Sequence, residues 1–496
     1  MARRRFTLPR RDLLGLAGAS VLAAPAAAAA ATSEGQSATP ANGPGVWTQW
    51  FAIQRVWGYV DRISILPGEP LNVMLAGGTG QPVRQVHLEV FRIGANQVQT
   101  LVWKSDPVSV GYLPATRSAS AMGPDWPPAI ANIDTTAWPP GVYSADVVEQ
   151  VTATRDVKVA QWIVRNPKRA GAVLLRLGTN TWQAYNDWGG HSLYPSDDNE
   201  VRGVMVSFDR PSPPDFFEYD GYLVGWLEGL AASLGGVDYA SNFDVHRDPA
   251  LMDGYKLVIC GGHDEYWSGE EFDAFERRIF KQGRNTAFFG GNTAYYQVRY
   301  ADANRPPDGE PLGRQIVCYK DQTDPVLRRP SKLDGSLLVT DLFRANARRP
   351  ETMLMGSAYQ SWFDPAGPLR VGYQVARTDL PFFAGTGWKV GDTAADVVGY
   401  EWDNRDPEGD GQRLWDKARS HNAAIPLADI QVLFEGHPVD VDGDKGLAEA
   451  VYWRSAAGAQ VFNAGSIRWS WGLGKDGFVQ PAFQRFNENL VRALSA

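Results

Sequence analysis

The chain has 496 residues, 44% hydrophobic and 21% charged, a globular composition with length for two or three cores, which sets disorder aside. Its formal net charge is −8 at pH 7 and no Lys/Arg-rich stretch follows the amino-terminal segment; phosphate neutralisation needs a basic face, so a nucleic-acid partner is excluded. Only Cys260 and Cys318 are present, too few for a disulfide framework or a C-x-x-C thiolate zinc site, so any metal would sit on oxygen or histidine.

Residues 1–31 read as an export signal: Arg-rich, then apolar and small from Leu13 to Ala31, with an alanine tract suited to cleavage. Arg10-Arg11 followed by Asp12-Leu13-Leu14-Gly15 has the form of a twin-arginine signal, with an ordinary secretory signal as the alternative. A secreted or periplasmic protein is expected, with no later segment apolar enough to span a membrane. Residues 32–45 are rich in small residues, Gly and Pro and read as a linker.

From 46 to 166 short alternating runs such as Val86-His87-Leu88-Glu89-Val90-Phe91-Arg92 are separated by turns at Pro67-Gly68-Glu69, Gly77-Gly78 and Pro139-Pro140-Gly141. This spacing predicts an N-terminal β-sandwich with no catalytic cluster. From 167 to 496 the rhythm becomes that of an α/β domain. Val173–Leu177 reads as a buried strand, and 218–234 as a helix with Leu223, Trp226, Leu227, Leu230 and Leu234 on one face. Tyr255–Cys260 is a second strand, and Ser268 with Glu271 forms a capping box opening a helix whose inner face is Phe272, Phe275 and Ile279. A third strand covers Thr286–Phe289. Alternating strands and helices predict a mostly parallel sheet covered on both faces. Residues from about 400 to 480 return to short β-like runs that complete this domain.

Ligands of open α/β sheets bind at the carboxyl ends of strands, and three polar clusters fall there: 181–194, 263–266 and Asn292. Histidine, glutamate and tyrosines converging on one edge form an unusual set, because a phenolate is a hard anionic ligand suited to ferric iron. Two phenolates and one carboxylate would nearly neutralise that ion and leave positions open for Lewis-acid hydrolysis. On spacing alone, tyrosines in a Trp-rich stretch serve equally as packing or carbohydrate contacts.

Thr181-Trp182-Gln183-Ala184-Tyr185-Asn186, Gly189-Gly190, Ser192-Leu193-Tyr194, Gly262-His263-Asp264-Glu265-Tyr266-Trp267, Gly290-Gly291-Asn292 and Asn463-Ala464-Gly465-Ser466-Ile467-Arg468-Trp469-Ser470 together resemble the catalytic region of the N,N-dimethylformamidase large (beta) subunit-like family over about 170–475. Gly58-Tyr59-Val60-Asp61-Arg62 and Pro67-Gly68-Glu69 look like the β-domain that accompanies it. The resemblance implies a glutamine-amidotransferase-like fold and a mononuclear Fe(III) site, carried over to Tyr185, Tyr194 and Glu265. It also implies His263 as proton shuttle or orienting donor, Asn292 as binder of the amide oxygen and Glu401 as general base or partner of His263. A small-molecule amide or formamide is the implied substrate. The segment between the tyrosines is shorter here than in the amidase, so Tyr219 and Tyr222 are alternatives for the second phenol. The family's separate small subunit has no counterpart in this chain, and assembly as a homo-oligomer stays open.

Two rivals remain at this point. Cys260 ends a strand before Gly-Gly-His and would suit a thiol hydrolase. The 18 tryptophans and 18 tyrosines would suit a non-catalytic carbohydrate- or ligand-binding protein. Asp440-Val441-Asp442-Gly443-Asp444 lacks the sixth-position glycine and twelfth-position glutamate of an EF-hand and reads as an exposed turn.

Overall fold

The structure is a computed structural model that describes residues 55–496 apart from 79, 81, 117, 170, 196–200, 212–214, 302–312, 321–323, 329–337, 346 and 408–424. The Arg10-Arg11 leader and the 32–45 linker lie outside the described residues. No helix among those described is long and apolar enough to cross a membrane.

The fold is mixed α/β. Its first part is built of two sheets. Val56–Val60, Leu71–Gly77 and Ile130–Ile133 form one; Ser64–Ile65, Arg155–Val164, Gly141–Glu149, Arg84–Ile93 and Gln99–Lys104 run in that order across the other, with Val108–Val110 also paired to Arg84–Ile93. Alternation explains the packing: Val86, Leu88 and Val90 of one sheet meet Val73, Leu75 and Val60 of the other in a single apolar core completed by Tyr143 and Trp162.

The second part is organised on a nine-stranded sheet in the order Val237–Ser241, Val173–Leu177, Leu257–His263, Asn285–Gly291, Gln460–Asn463, Ala448–Arg454, Gln431–Gly436, Val371–Val375 and Thr393–Val398. The first five strands are parallel and the remaining pairs antiparallel. The expectation of a mostly parallel sheet is therefore corrected: only half of the sheet has the strand–helix–strand rhythm that enforces parallel pairing, and among the described residues the only helices between the strands of the rest are the three-residue Pro381–Phe383 and Leu427–Asp429.

Side chains alternate between the two faces of the parallel half. Val173, Leu175, Leu177, Leu257, Ile259, Ala287 and Phe289 pack with the helices Asp220–Leu234 and Pro481–Ser495. Leu174, Val258, Cys260 and Phe288 pack with Phe272, Phe275 and Ile279 of the helix Gly269–Phe280. That helix opens on the expected Ser268/Glu271 capping box.

Within the parallel half, the strand that comes second in the chain flanks the first on the outside, while the third and later strands continue on the other side. The point of reversal, between the carboxyl ends of Val173–Leu177 and Leu257–His263, is where chain segments diverge and leave a crevice.

Candidate active site

The expected residues gather at that crevice. The helix Thr179–Tyr185 leaves the first strand and delivers Tyr185. The strand expected to stop at Cys260 runs on to His263, because Gly262 and His263 pair with Gly290 and Gly291 across the sheet. Glycine is required for this approach: a Cβ on Gly290 would meet the Gly262 carbonyl oxygen at 2.4 Å, and one on Gly262, whose φ is +68°, would meet Asp220 Oδ1 at 2.6 Å.

Glu265 sits in the connection after this strand, its own N–H and that of Tyr266 held by Thr181 Oγ1 at 2.9 and 3.3 Å. Its carboxylate is shared by two phenols. The Tyr185 hydroxyl donates to Oε2 at 2.7 Å, the Tyr194 hydroxyl donates to Oε1, and the two rings stack with centroids 4.4 Å apart. Tyr219 instead places its ring 5.9 Å from the His263 imidazole and stacks on Trp471, and Tyr222 lies 5.8 Å from the Lys475 ammonium.

His263 Nε2 stands 3.5 Å from Glu265 Oε2 and 3.6 Å from Glu401 Oε2, between the two carboxylates. Asn292 Nδ2 donates to the same Glu401 oxygen at 3.1 Å. Glu401 and Asp403 share one face of the strand Glu401–Asn404; Asp403 Oδ1 accepts the Asn292 backbone N–H at 2.8 Å and Oδ2 accepts Asn463 Nδ2 at 2.9 Å. Asn292 is thus clamped at both ends, in a left-handed conformation with φ of 52°.

The electrostatics follow from burial. Tyr185 is 8% exposed, Tyr194 6%, Glu401 4%, and His263, Glu265 and Asn292 1% each. Burial pushes the Tyr194 phenol well above its ordinary value, and the Glu265 charge adds to this. Burial also acts to raise the Glu265 carboxyl, but the His263 hydrogen bond, the charge of Lys320 and the Tyr194 hydrogen bond win and hold it below the ordinary range. Desolvation raises Asp403 to about 6.

Three contributors carried no signal in the sequence. Lys320 places its ammonium 3.2 Å from the Tyr194 ring centroid and 4.3 Å from that of Tyr296. Arg176 grips both oxygens of Asp264, the residue between His263 and Glu265, at 2.6 Å each. Arg210 holds the loop that joins the two tyrosines. All three act across long stretches of chain, so local pattern reveals none of them.

Neither rival gains support here. Cys260 is buried with Phe272, Phe275 and Phe288 in the core under the helix Gly269–Phe280, and burial drives its thiol far above the range of a reactive cysteine. Among the described residues no tryptophan is exposed; thirteen are buried and Trp103 and Trp388 are half-buried, so these rings serve the core rather than a saccharide-stacking surface. The Asp440–Asp444 segment is an exposed turn closed by Asp440 Oδ1 accepting the N–H groups of Asp442 and Asp444 at 3.0 and 2.8 Å.

No curated protein matches the chain. A family model described as N,N-dimethylformamidase beta subunit-like, C-terminal, matches residues 87–482, beginning within the Arg84–Ile93 strand and spanning every site residue above. The match begins upstream of the 170–475 region, leaves the Gly58–Arg62 and Pro67–Glu69 motifs just before its start, and covers most of the chain, which belongs to the N,N-dimethylformamidase beta subunit-like family.

Proposed function

We propose that the protein hydrolyses the C–N bond of a small linear amide or formamide at the Tyr185–Tyr194–Glu265 centre. Membership of the family suggests a dimethylformamidase-like hydrolase. The observation that carries the finer reading is the sharing of one buried carboxylate by two phenols, one hydroxyl on each oxygen.

The group implied at this centre is a ferric ion, and the donors suit it. Among the described residues no three His, Cys, Asp or Glu side chains converge as a cage, so a metal here would depend on the phenols. Two phenolates and a carboxylate carry three negative charges, matching a trivalent cation that replaces the two protons now shared with Glu265. Bound there, Fe(III) would supply the Lewis acidity that lets water react near neutral pH.

The chain's own groups then have distinct tasks. Asn292, fixed by Glu401 and Asp403, presents an amide to orient the substrate oxygen. His263, between Glu265 and Glu401, carries a proton at Nε2 towards the Glu401 carboxylate or back to the leaving nitrogen. Near-complete burial of all six side chains supports a substrate of few heavy atoms. We read the N-terminal sheets as a β-sandwich and the C-terminal part as glutamine-amidotransferase-like, the boundary falling near residue 166. The Arg10-Arg11 leader supports export to the periplasm or beyond.

The test is amine release from formamide, N-methylformamide, N,N-dimethylformamide and acetamide by iron-loaded protein. Turnover of at least one of them, lost in Glu265→Ala, is expected; no turnover of any by protein carrying iron would overturn the reading.

A further inference from the structure

The residues between the two tyrosines must bring both hydroxyls onto one carboxylate, and that segment is gripped from within by a guanidinium. Arg210, just after the strand Met205–Ser207, is completely buried. Its Nε donates to the Ser207 carbonyl at 2.9 Å. Nη1 donates to the carbonyls of Asn186 and Trp188 at 3.0 Å each and of His191 at 3.2 Å. Nη2 donates to the Gln183 carbonyl at 3.0 Å. Four of these five carbonyls belong to the segment that ends the Tyr185 helix and leads to Tyr194.

A buried arginine is ordinarily paired with a carboxylate. Here every hydrogen bond goes to an amide or backbone oxygen, and burial pulls the guanidinium down to about 9 despite the charge of Asp187. A charge retained at that cost has its donors fully used, and its planar fork fixes several oxygens at once, which a lysine ammonium on a flexible stem does not do. From outside, the same loop is pressed by the N-terminal part of the chain. Trp188 meets Trp57 and Trp126 edge-on, with centroids 6.1 and 5.4 Å away, and a Cβ on Gly189 would lie 2.7 Å from the Ser120 backbone nitrogen. The Leu193 N–H closes the loop onto the Ala184 carbonyl at 2.8 Å.

We propose that Arg210 is a positioning residue that sets the mutual geometry of Tyr185 and Tyr194 by holding the carbonyls of the segment that joins them. The proposal rests on the paired role given to those phenols above, and it makes its own demand on the apoprotein. It is tested by ¹⁹F NMR of 3-fluorotyrosine-labelled, metal-free protein, with the two signals assigned from Tyr185→Phe and Tyr194→Phe, alongside thermal melts and iron titration of the unlabelled protein.

In Arg210→Lys the expected result is a folded protein whose Tyr185 and Tyr194 signals shift and broaden while signals of tyrosines in the N-terminal sheets stay. Its iron affinity should fall roughly 10–100-fold, the usual consequence of losing a group that orients metal ligands. Unmoved signals for both residues would overturn the proposal, even if the melting temperature drops. Should the lysine variant fail to fold, Arg210→Ala is titrated with methylguanidinium: return of both signals to their wild-type positions supports the proposal, and signals indifferent to the additive overturn it. Wild-type protein that takes up no iron would sink the metal reading alone, because the apoprotein signals decide the role of Arg210.

Discussion

The core between the two N-terminal sheets is built from Val73, Leu88, Tyr143, Trp162 and similar side chains, whereas the carboxyl edge of the nine-stranded sheet buries His263, Asp264, Glu265, Asn292, Glu401 and Asp403. The first gains stability in proportion to apolar area removed from water. The second costs desolvation free energy at every group and persists only because each is held by a defined partner: Asp264 by Arg176, the Glu265 backbone by Thr181, Asn292 by Glu401 and Asp403. Polar groups gathered at such expense make this edge the candidate site. The two regions are nonetheless joined. Arg92 forms a bidentate pair with Glu228 at 3.0 and 2.9 Å, and Trp57 and Trp126 press on the Trp188 loop, so the apolar region buttresses the polar one.

Substitutions can separate these roles. At the polar edge, Glu401→Gln keeps shape but removes the carboxylate facing His263; hydrolysis should fall about 10²–10⁴-fold, the span of a lost general acid–base group, with an unchanged melt. In the apolar region, Trp162→Ala should cost about 3–5 kcal/mol of unfolding free energy, measured by denaturant titration, while protein that remains folded keeps its iron and its rate per iron. A rate loss in folded Trp162→Ala would instead mean that the apolar region tunes the site.

The smallest expected effect concerns pH. Desolvation raises Glu271 to about 7, against the pull of Arg176. Its folded-state value exceeds that of the unfolded chain, so the native state binds the proton more tightly. The resulting stability is present at low pH and lost as pH rises from the ordinary carboxylate range through about 7. Glu271→Gln mimics the protonated form and retains a residue able to complete the capping box. Its melting temperature should match wild type below the ordinary carboxylate range and exceed it above about pH 7, leaving a shallower slope from Asp403, raised to about 6. Identical profiles would contradict the assignment.

How much of this was legible in the chain depends on the range of the interaction. The helix Asp220–Leu234 and the Ser268/Glu271 box are local patterns and were readable. The alternation of Val86–Arg92 likewise falls inside the strand Arg84–Ile93. The antiparallel half of the large sheet was not readable, because its strands are short and their registers shift between Val371 and Tyr373 and between Val432 and Phe434, which breaks the alternation a strand signal needs. At the site, Tyr185, Tyr194, Glu265, His263, Asn292 and Glu401 were nameable from motifs, and they meet in one crevice. Lys320, Arg176 and Arg210 were not, since each earns its place through contacts that only the folded chain creates.

The hydrolase reading depends on the proposed metal centre of Tyr185, Tyr194 and Glu265. It is tested most directly by elemental analysis and visible absorption of the wild-type protein and of Tyr185→Phe, Tyr194→Phe and Glu265→Ala. About one iron per chain and a phenolate-to-iron colour are expected in the wild type, with the colour weakened or lost in each variant. A wild-type protein that stays colourless and metal-free after reconstitution with iron would contradict it.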